Sequence, residues 1–202
     1  TVLPVAAIRE PVSAVLEDRD GVLWVATRGF GLHKLAGDRS RAEPFTQDPE
    51  DARPIGSEQI TSLFDLDDST LLIGAKERPL MFLDKRTLRI SYWTDSTSLA
   101  PREASATAGG MRGWCHGFTQ LGKHMLWINM LNSHESLVAD LSSGAIVQRV
   151  YHERPGNETI VVAAELDGLV YASGWQQGMD RLTYETGIGW RPIDPLPLDD
   201  EG

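Results

Sequence analysis

The stretch that decides the fold is residues 12–35, which read VSAVLEDRDGVLWVATRGFGLHKL. Its first segment alternates apolar and polar residues and runs into an acidic turn that ends in Asp20 and Gly21. A second apolar segment at 22–27 and a third at 32–35 follow, separated by a glycine-punctuated turn. An Asp-Gly pair between alternating segments supplies the positive φ angles of a tight hairpin. The stretch therefore predicts three short antiparallel strands.

The same order of strands and turns recurs along the chain. Adding 48 to each number gives strands at 60–64, 70–75 and 80–83 around the acidic turn 65–69. Adding 103 places Trp24 on Trp127, with a third strand at 137–141 after a small insertion. Adding 147 turns Asp20-Gly21 into Asp167-Gly168 and Trp24 into Tyr171. Four units with one order of turn, aromatic residue and glycine indicate an internal repeat.

Each unit closes with a more polar fourth strand, at about 42–47, 89–93, 146–151 and 189–193. Four short strands repeated every 45 to 50 residues or so are typical of propeller blades. We therefore predict an all-β fold, a single β-propeller-like domain over 1–202 of about four units of four antiparallel strands. The predicted blades are 11–58, 59–98, 113–158 and 159–198, with a linker at 94–113.

Composition and charge exclude several classes of protein. The chain has 202 residues, 41% of them hydrophobic and 24% charged, which is too apolar for a disordered protein. No long apolar run spans a membrane, and the net charge of −10 argues against nucleic-acid or anionic-membrane partners. The single cysteine, Cys115, excludes an intramolecular disulfide and a cysteine-built zinc site.

The run from Ser13 to Leu32 resembles the two-component regulator propeller repeat. That pattern has an apolar strand, Glu-Asp, a turn with Asp-Gly, then Leu-Trp, an apolar pair, Thr and a glycine-rich turn. The first unit matches it closely, with Phe30 between its two glycines, whereas the later units keep only parts of it. The resemblance implies the extracytoplasmic sensor portion of a bacterial signalling protein whose output module is a kinase or a cyclase.

Propellers of that family usually have about seven blades in a ring, and four units are fewer. Three alternatives stay open for the chain: a piece of a larger propeller, a four-bladed ring, or a half-ring completed by a second copy.

No catalytic or metal-binding constellation stands out. The five histidines lack the spacing of a His-Glu-x-x-His motif, and no nucleophile elbow or phosphate-binding glycine loop occurs. His116 and His124 flank one hairpin and could approach each other. The turn at Asp67 has acids that could bind calcium, but it lacks the spacing of a twelve-residue calcium loop. We interpret the acidic clusters as hairpin chemistry and predict no catalytic residue, no metal and no cofactor.

Candidate ligand-binding residues lie in the loops, because propeller loops line the channel mouth where ligands bind. Aromatic planes beside amide and guanidinium groups suit a sugar or peptide ligand. The predicted lining residues are Arg28, Arg112, Trp114, Trp175 and Gln176.

These observations favour a non-catalytic, periplasmic or extracytoplasmic sensor segment that binds a small molecule, a glycan or a peptide. The alternative is an interaction or dimerisation scaffold that assembles through exposed blade edges, with a homodimer as its simplest form. A propeller lyase or hydrolase is the third possibility, which needs acids, histidines or a metal to converge. Compartment and output module come from the resemblance, and we expect neither nucleic-acid nor membrane contact within this segment.

Overall fold

The computed structural model describes most of the repeated part of the chain. The described residues are 8–35, 37–38, 41–45, 59–76, 79–92, 114–131, 135–151, 160–166, 168–174, 178–185 and 189–193. They form strands and turns, and no helix among them is long and apolar enough to cross a membrane. The predicted linker 94–113 lies outside these residues.

The described strands form four antiparallel sheets, each with its four strands adjacent in chain order. The all-β prediction of four units of four antiparallel strands is confirmed. Sheet 1 contains β1 (Val12–Glu17), β2 (Leu23–Thr27), β3 (Leu32–Leu35) and β4 (Ala42–Pro44), and sheet 2 contains β5 (Ile60–Asp65), β6 (Thr70–Ala75), β7 (Met81–Asp84) and β8 (Ile90–Tyr92). Sheet 3 contains β9 (Trp114–Leu121), β10 (Met125–Leu131), β11 (Glu135–Asp140) and β12 (Ile146–Tyr151), and sheet 4 contains β13 (Ile160–Leu166), β14 (Leu169–Gly174), β15 (Gly178–Glu185) and β16 (Gly189–Ile193).

The first hairpins of sheets 1 and 4 use the predicted glycines. Gly21 and Gly168 both have a φ of 76°, in the left-handed region that side chains with a Cβ avoid. The first strand of three sheets also carries a register shift near its start, at Val12, Ile60 and Ile160. The repeated units therefore share a local irregularity of their first strands as well as a sequence pattern.

The chain divides into two compact units. The first unit contains residues Thr1–Thr94 and Ala100–His116, and the second contains Asp95–Leu99 and Gly117–Gly202. Sheets 1 and 2 lie in the first unit, while sheet 4 and strands β10 to β12 of sheet 3 lie in the second.

Apolar side chains from sheets 1 and 2 form the core of the first unit. The second strands β2 and β6 are almost entirely buried, which suits strands covered on both faces. Trp24, the aromatic residue of the predicted second strand, is 1% exposed. It packs in one cluster with Ala26, Leu32, Phe45, Ile60, Leu71, Ile73, Ala75, Met81 and Leu83.

The second unit has its own core, built from sheets 3 and 4. Trp127, the repeat equivalent of Trp24, is likewise fully buried. Its indole N–H donates to Asn129 Oδ1 at 2.8 Å, and Ser136 Oγ lies 3.3 Å from the same oxygen. The cluster also contains Leu121, Val138, Val150, Val170, Ala172, Leu182 and Trp190.

One glutamine side chain joins the sheets of the second unit. Gln148 on β12 accepts a hydrogen bond from the Trp190 N–H of β16 through Oε1, at 2.6 Å. Its Nε2 donates to the carbonyl oxygen of the same residue. Gly189 adopts a φ of 100° directly beside this amide, where a Cβ would collide with Gln148. The side-chain amide of Gln148 thus forms with Trp190 the pair of hydrogen bonds that the backbone of a neighbouring strand would form.

Candidate ligand-binding site

The first hairpin turn is organised by Asp18. Its Oδ1 accepts hydrogen bonds from the backbone N–H groups of Val22 at 2.9 Å and Asp20 at 3.1 Å. Its Oδ2 accepts the indole N–H of Trp24 at 2.8 Å. Such local side-chain bonds favour turns over regular structure. Asp18 therefore ties the turn to the core of the first unit.

A lysine from sheet 2 lies between two carboxylates. Lys85 Nζ donates to Asp65 Oδ1 at 2.8 Å and lies 3.9 Å from Asp18 Oδ2. The three side chains are only 6%, 11% and 2% exposed, respectively. We call Asp18, Asp65 and Lys85 the buried clasp. It links sheet 1 to sheet 2, and such a buried charge is costly to leave without its partners.

Arg19 completes the charges at this end of the first unit. Its backbone N–H donates to Asp65 Oδ2 at 3.0 Å, and its guanidinium contacts Asp65 at 3.5 Å and Asp68 at 3.6 Å. The same guanidinium donates to the Leu66 carbonyl at 3.3 Å. The carboxylates and cations of this cluster are therefore paired with one another, and we assign the cluster a structural role.

The acids of the hairpin turns are held in their ionised form. Partial burial raises the pKa of Asp67, but hydrogen bonds from the backbone and hydroxyl of Ser69 outweigh it, and the pKa lies below its ordinary value. Backbone hydrogen bonds from Thr87 and from Ser142 lower the pKa of Asp84 and of Asp140. A general acid needs a raised pKa, so these carboxylates are poor proton donors.

The turn at Asp67 is closed by Ser69, whose N–H and hydroxyl both donate to Asp67 Oδ1 at 2.8 Å. Within the described part of the chain, no group of three or more acids, histidines or cysteines is placed to hold a metal ion. His124, one of the two histidines that flank the hairpin, lies with its Nδ1 3.3 Å from Ser142 Oγ.

The opposite end of the first unit carries Arg28. Its backbone N–H donates to the Pro11 carbonyl at 3.0 Å, and it forms an isolated antiparallel bridge with Gln59. The Lys76 N–H in turn donates to the Gln59 carbonyl at 2.9 Å. The starts of β1 and β5 and the ends of β2 and β6 therefore meet here, in what we call the Arg28 end.

The loop that follows Arg28 is locked by Thr27. The N–H and hydroxyl of this fully buried residue both donate to the Gly31 carbonyl, at 2.9 and 2.8 Å. Gly29 and Gly31 have φ values of 89° and 78°, which only glycine adopts without strain. The loop holds Phe30 outward with 55% of its surface exposed. The sequence places Phe30 between two glycines, but the predicted site residues do not include it.

Two of the five predicted site residues belong to the described part of the chain. Arg28 is exposed at the end of β2, and Trp114 is the first residue of β9. Arg112, Trp175 and Gln176 lie outside the described residues. Arg28 therefore has a described environment, and convergence of the five residues stays a prediction.

Four sheets, each an antiparallel meander in chain order, define a propeller-type domain. Within this class, residues 8–29 match the family model described as the two component regulator propeller. Residues 8–29 are therefore similar to a repeat of that family, and the predicted resemblance is confirmed. No curated protein matches the chain in sequence.

Solved structures agree with this class. One, described as the extracellular domain of a hybrid two component system of B. thetaiotaomicron, superposes with a TM-score of 0.65 at 16% identity, over 96% of this chain and 26% of its own length. A second, the extracellular domain of a one component system of the same organism, gives a TM-score of 0.62 at 19% identity, over 98% and 23%. The computationally designed Ika4 protein gives 0.51 at 11% identity, over 90% and 98%. At these identities the likeness shows the fold alone, and the chain spans about a quarter of the two extracellular domains.

Proposed function

We propose that the chain is a sensor segment of a bacterial two-component-type signalling protein, and that it lies outside the cytoplasm. The observation that carries the proposal is the two component regulator propeller repeat at residues 8–29. Its support is the shared fold with the extracellular domains of two signalling proteins from B. thetaiotaomicron. The output module, a kinase or a cyclase, belongs to the same proposal.

The chemistry of the described residues favours binding over catalysis. The buried acids of the first unit are committed to the buried clasp and to the indole of Trp24. The turn acids Asp67, Asp84 and Asp140 have lowered pKa values and remain ionised at neutral pH. A lyase or hydrolase needs a group that exchanges protons near neutral pH. A non-catalytic segment accounts better for this arrangement.

The ligand of the proposed sensor is a small molecule, a glycan or a peptide, bound by loops. Arg28 is exposed beside a rigid loop, and Arg112, Trp114, Trp175 and Gln176 complete the proposed set. Preorganised loops reduce the entropy that binding must offset.

Two measurements test the sensor proposal together. A thermal-shift screen of the chain with glycans, peptides and small acids is expected to give at least one stabilising ligand, because binding to the folded state raises the melting temperature. Deletion of the segment from its parent protein is expected to abolish the response to that ligand. Signalling that survives the deletion unchanged would contradict the proposal.

A dimerisation scaffold is the second candidate, favoured by the first strand of sheet 1. Val12 and Val15 are 48% and 58% exposed, whereas their repeat equivalents Ile60 and Leu63 are buried and partly buried in the core. A strand face that is exposed in the first repeat, although it is packed in the second, is suited to bind a second copy of the chain. Light scattering with Val15→Ser distinguishes the cases: a scaffold gives a wild-type dimer that the substitution dissociates, and a monomer at high concentration argues against it.

A further inference from the structure

Phe30 is an exposed aromatic that the fold does not require. More than half of its surface faces solvent, although the loop around it is held by two hydrogen bonds from buried Thr27. Burying a phenylalanine side chain is favourable by about 1.5–3 kcal/mol, and here much of that gain is not realised. A rigid loop that displays an apolar ring is suited to receive a partner surface.

Arg28, two positions earlier, supplies a cation that the fold leaves available. Its backbone is fixed by the Pro11 carbonyl and by the bridge to Gln59, yet its side chain is exposed. It has no ion pair with another described residue, unlike Arg19, which contacts Asp65 and Asp68. The guanidinium has five N–H donors and matches a carboxylate or sulfate in a two-pronged geometry.

We infer that the loop 28–31 binds a small organic anion in which a carboxylate or sulfate lies next to an apolar or flat face. Arg28 pairs with the anionic group, and Phe30 covers the apolar face. The inference rests on the proposed sensor function and narrows its ligand to one chemical class. It also gives a role to Phe30, which the repeat itself does not require.

The test titrates the intact chain with phenylacetate and follows the backbone amides of Gly29 and Gly31 by two-dimensional NMR. We expect saturable shifts at both glycines, with phenylacetate bound about tenfold tighter than neutral phenylacetamide and than acetate, which lacks the ring. Phenyl sulfate in place of phenylacetate distinguishes a sulfate site from a carboxylate site. Equal affinity for the neutral amide, or the absence of shifts at these glycines with either anion, overturns the inference.

Variants assign the two contributions. Arg28→Gln is expected to weaken phenylacetate binding about tenfold and to abolish the preference over phenylacetamide. Phe30→Ser is expected to abolish the preference over acetate. Arg86→Gln and Leu166→Ser, also at exposed positions, are the matched controls and should bind like the wild type. Unchanged denaturation midpoints show that the variants remain folded, and unchanged binding in Arg28→Gln contradicts the inference.

The same variants separate this inference from the sensor proposal. If the parent needs the segment to signal but Arg28→Gln has no effect on ligand binding, the loop assignment fails and the sensor proposal survives. If the loop binds phenylacetate as expected but deletion of the segment leaves signalling unchanged, the sensor proposal fails and the loop assignment survives.

Discussion

The two units each join neighbouring sheets, but they do so with different chemistry. In the first unit the buried clasp places Lys85 between Asp65 and Asp18, and the indole of Trp24 donates to the same Asp18. In the second unit the neutral amide of Gln148 bonds to the backbone of β16. A buried charge is expensive to leave unpaired, whereas a neutral hydrogen bond contributes little net stability. The same repeat therefore accommodates two kinds of junction between neighbouring sheets, one built on buried charges and one built on a neutral amide.

The largest expected effect comes from removing the cation of the buried clasp. Lys85→Met leaves two nearly buried carboxylates facing each other, and we expect the free energy of unfolding to fall by about 3–5 kcal/mol. Urea denaturation measures it. Lys123→Met, at an exposed position, is the control and should stay within about 0.5 kcal/mol of the wild type. Equal values for the two variants would mean that the clasp does not stabilise the first unit.

Next comes the pair of equivalent tryptophans. Trp24→Phe removes a hydrogen bond to a carboxylate, and Trp127→Phe removes one to the amide of Asn129. Both lose the same volume, so the difference reports mainly on the acceptor, with a smaller share from the Lys34 ammonium that lies 5.5 Å from the centre of the Trp24 ring. We expect Trp24→Phe to cost about 2–3 kcal/mol and Trp127→Phe about 1 kcal/mol less, measured by urea denaturation. The opposite order would remove the distinction between charged and neutral junctions.

The neutral junction should give a smaller and more local loss. Gln148→Leu removes two hydrogen bonds to Trp190, and we expect a cost of about 1–2 kcal/mol. Hydrogen exchange should accelerate at the Trp190 amide in particular, because its acceptor is lost. Gln120→Leu, at an exposed position of β9, is the control. Exchange at Trp190 that matches the wild type would show that the amide contact is not formed in solution.

The smallest effect is a pH dependence shared by both units. Asp84 in the first and Asp140 in the second have folded pKa values below the ordinary 3.8. Their contribution to stability is therefore present above the ordinary value and is lost as the pH falls through their lowered folded pKa values. Asp84→Asn and Asp140→Asn should each reduce this acid-induced loss of stability by a similar small amount, with Glu43→Gln as control. Urea midpoints at neutral and acidic pH measure it, and an acid-induced loss that does not change would contradict the assignment.

The sequence predicted much of the fold because each repeat is specified by strands and turns whose residues are close together in the chain. The third strand at Leu32–Leu35 and the fourth at Ile146–Tyr151 and Gly189–Ile193 agree with the predicted bounds, and Gly21 closes its turn with positive φ. The fourth strand of sheet 1 was bounded less accurately: it spans Ala42–Pro44 where about 42–47 was predicted, and just past it the Phe45 N–H still donates to the Leu32 carbonyl at 2.7 Å.

The site was harder to predict because it depends on contacts between repeats. Asp18 and Asp65 were interpreted as hairpin residues, and Asp18 does cap its turn, but both also meet Lys85, which has no local signature. Arg28 was predicted from its loop. The sequence shows Phe30 between two glycines, yet its exposure follows from the hydrogen bonds of Thr27 to Gly31, which spacing alone does not reveal.

The amide of Gln148 has a further consequence for solubility. Strand β16 is the outermost strand of its sheet, so its outward N–H and carbonyl groups are a template for adding a strand from another molecule. At Trp190 both groups are already occupied by Gln148, and Gly189 leaves room for it. Gln148 thereby occupies one N–H and one carbonyl group of this edge strand that a strand from another molecule would otherwise pair with.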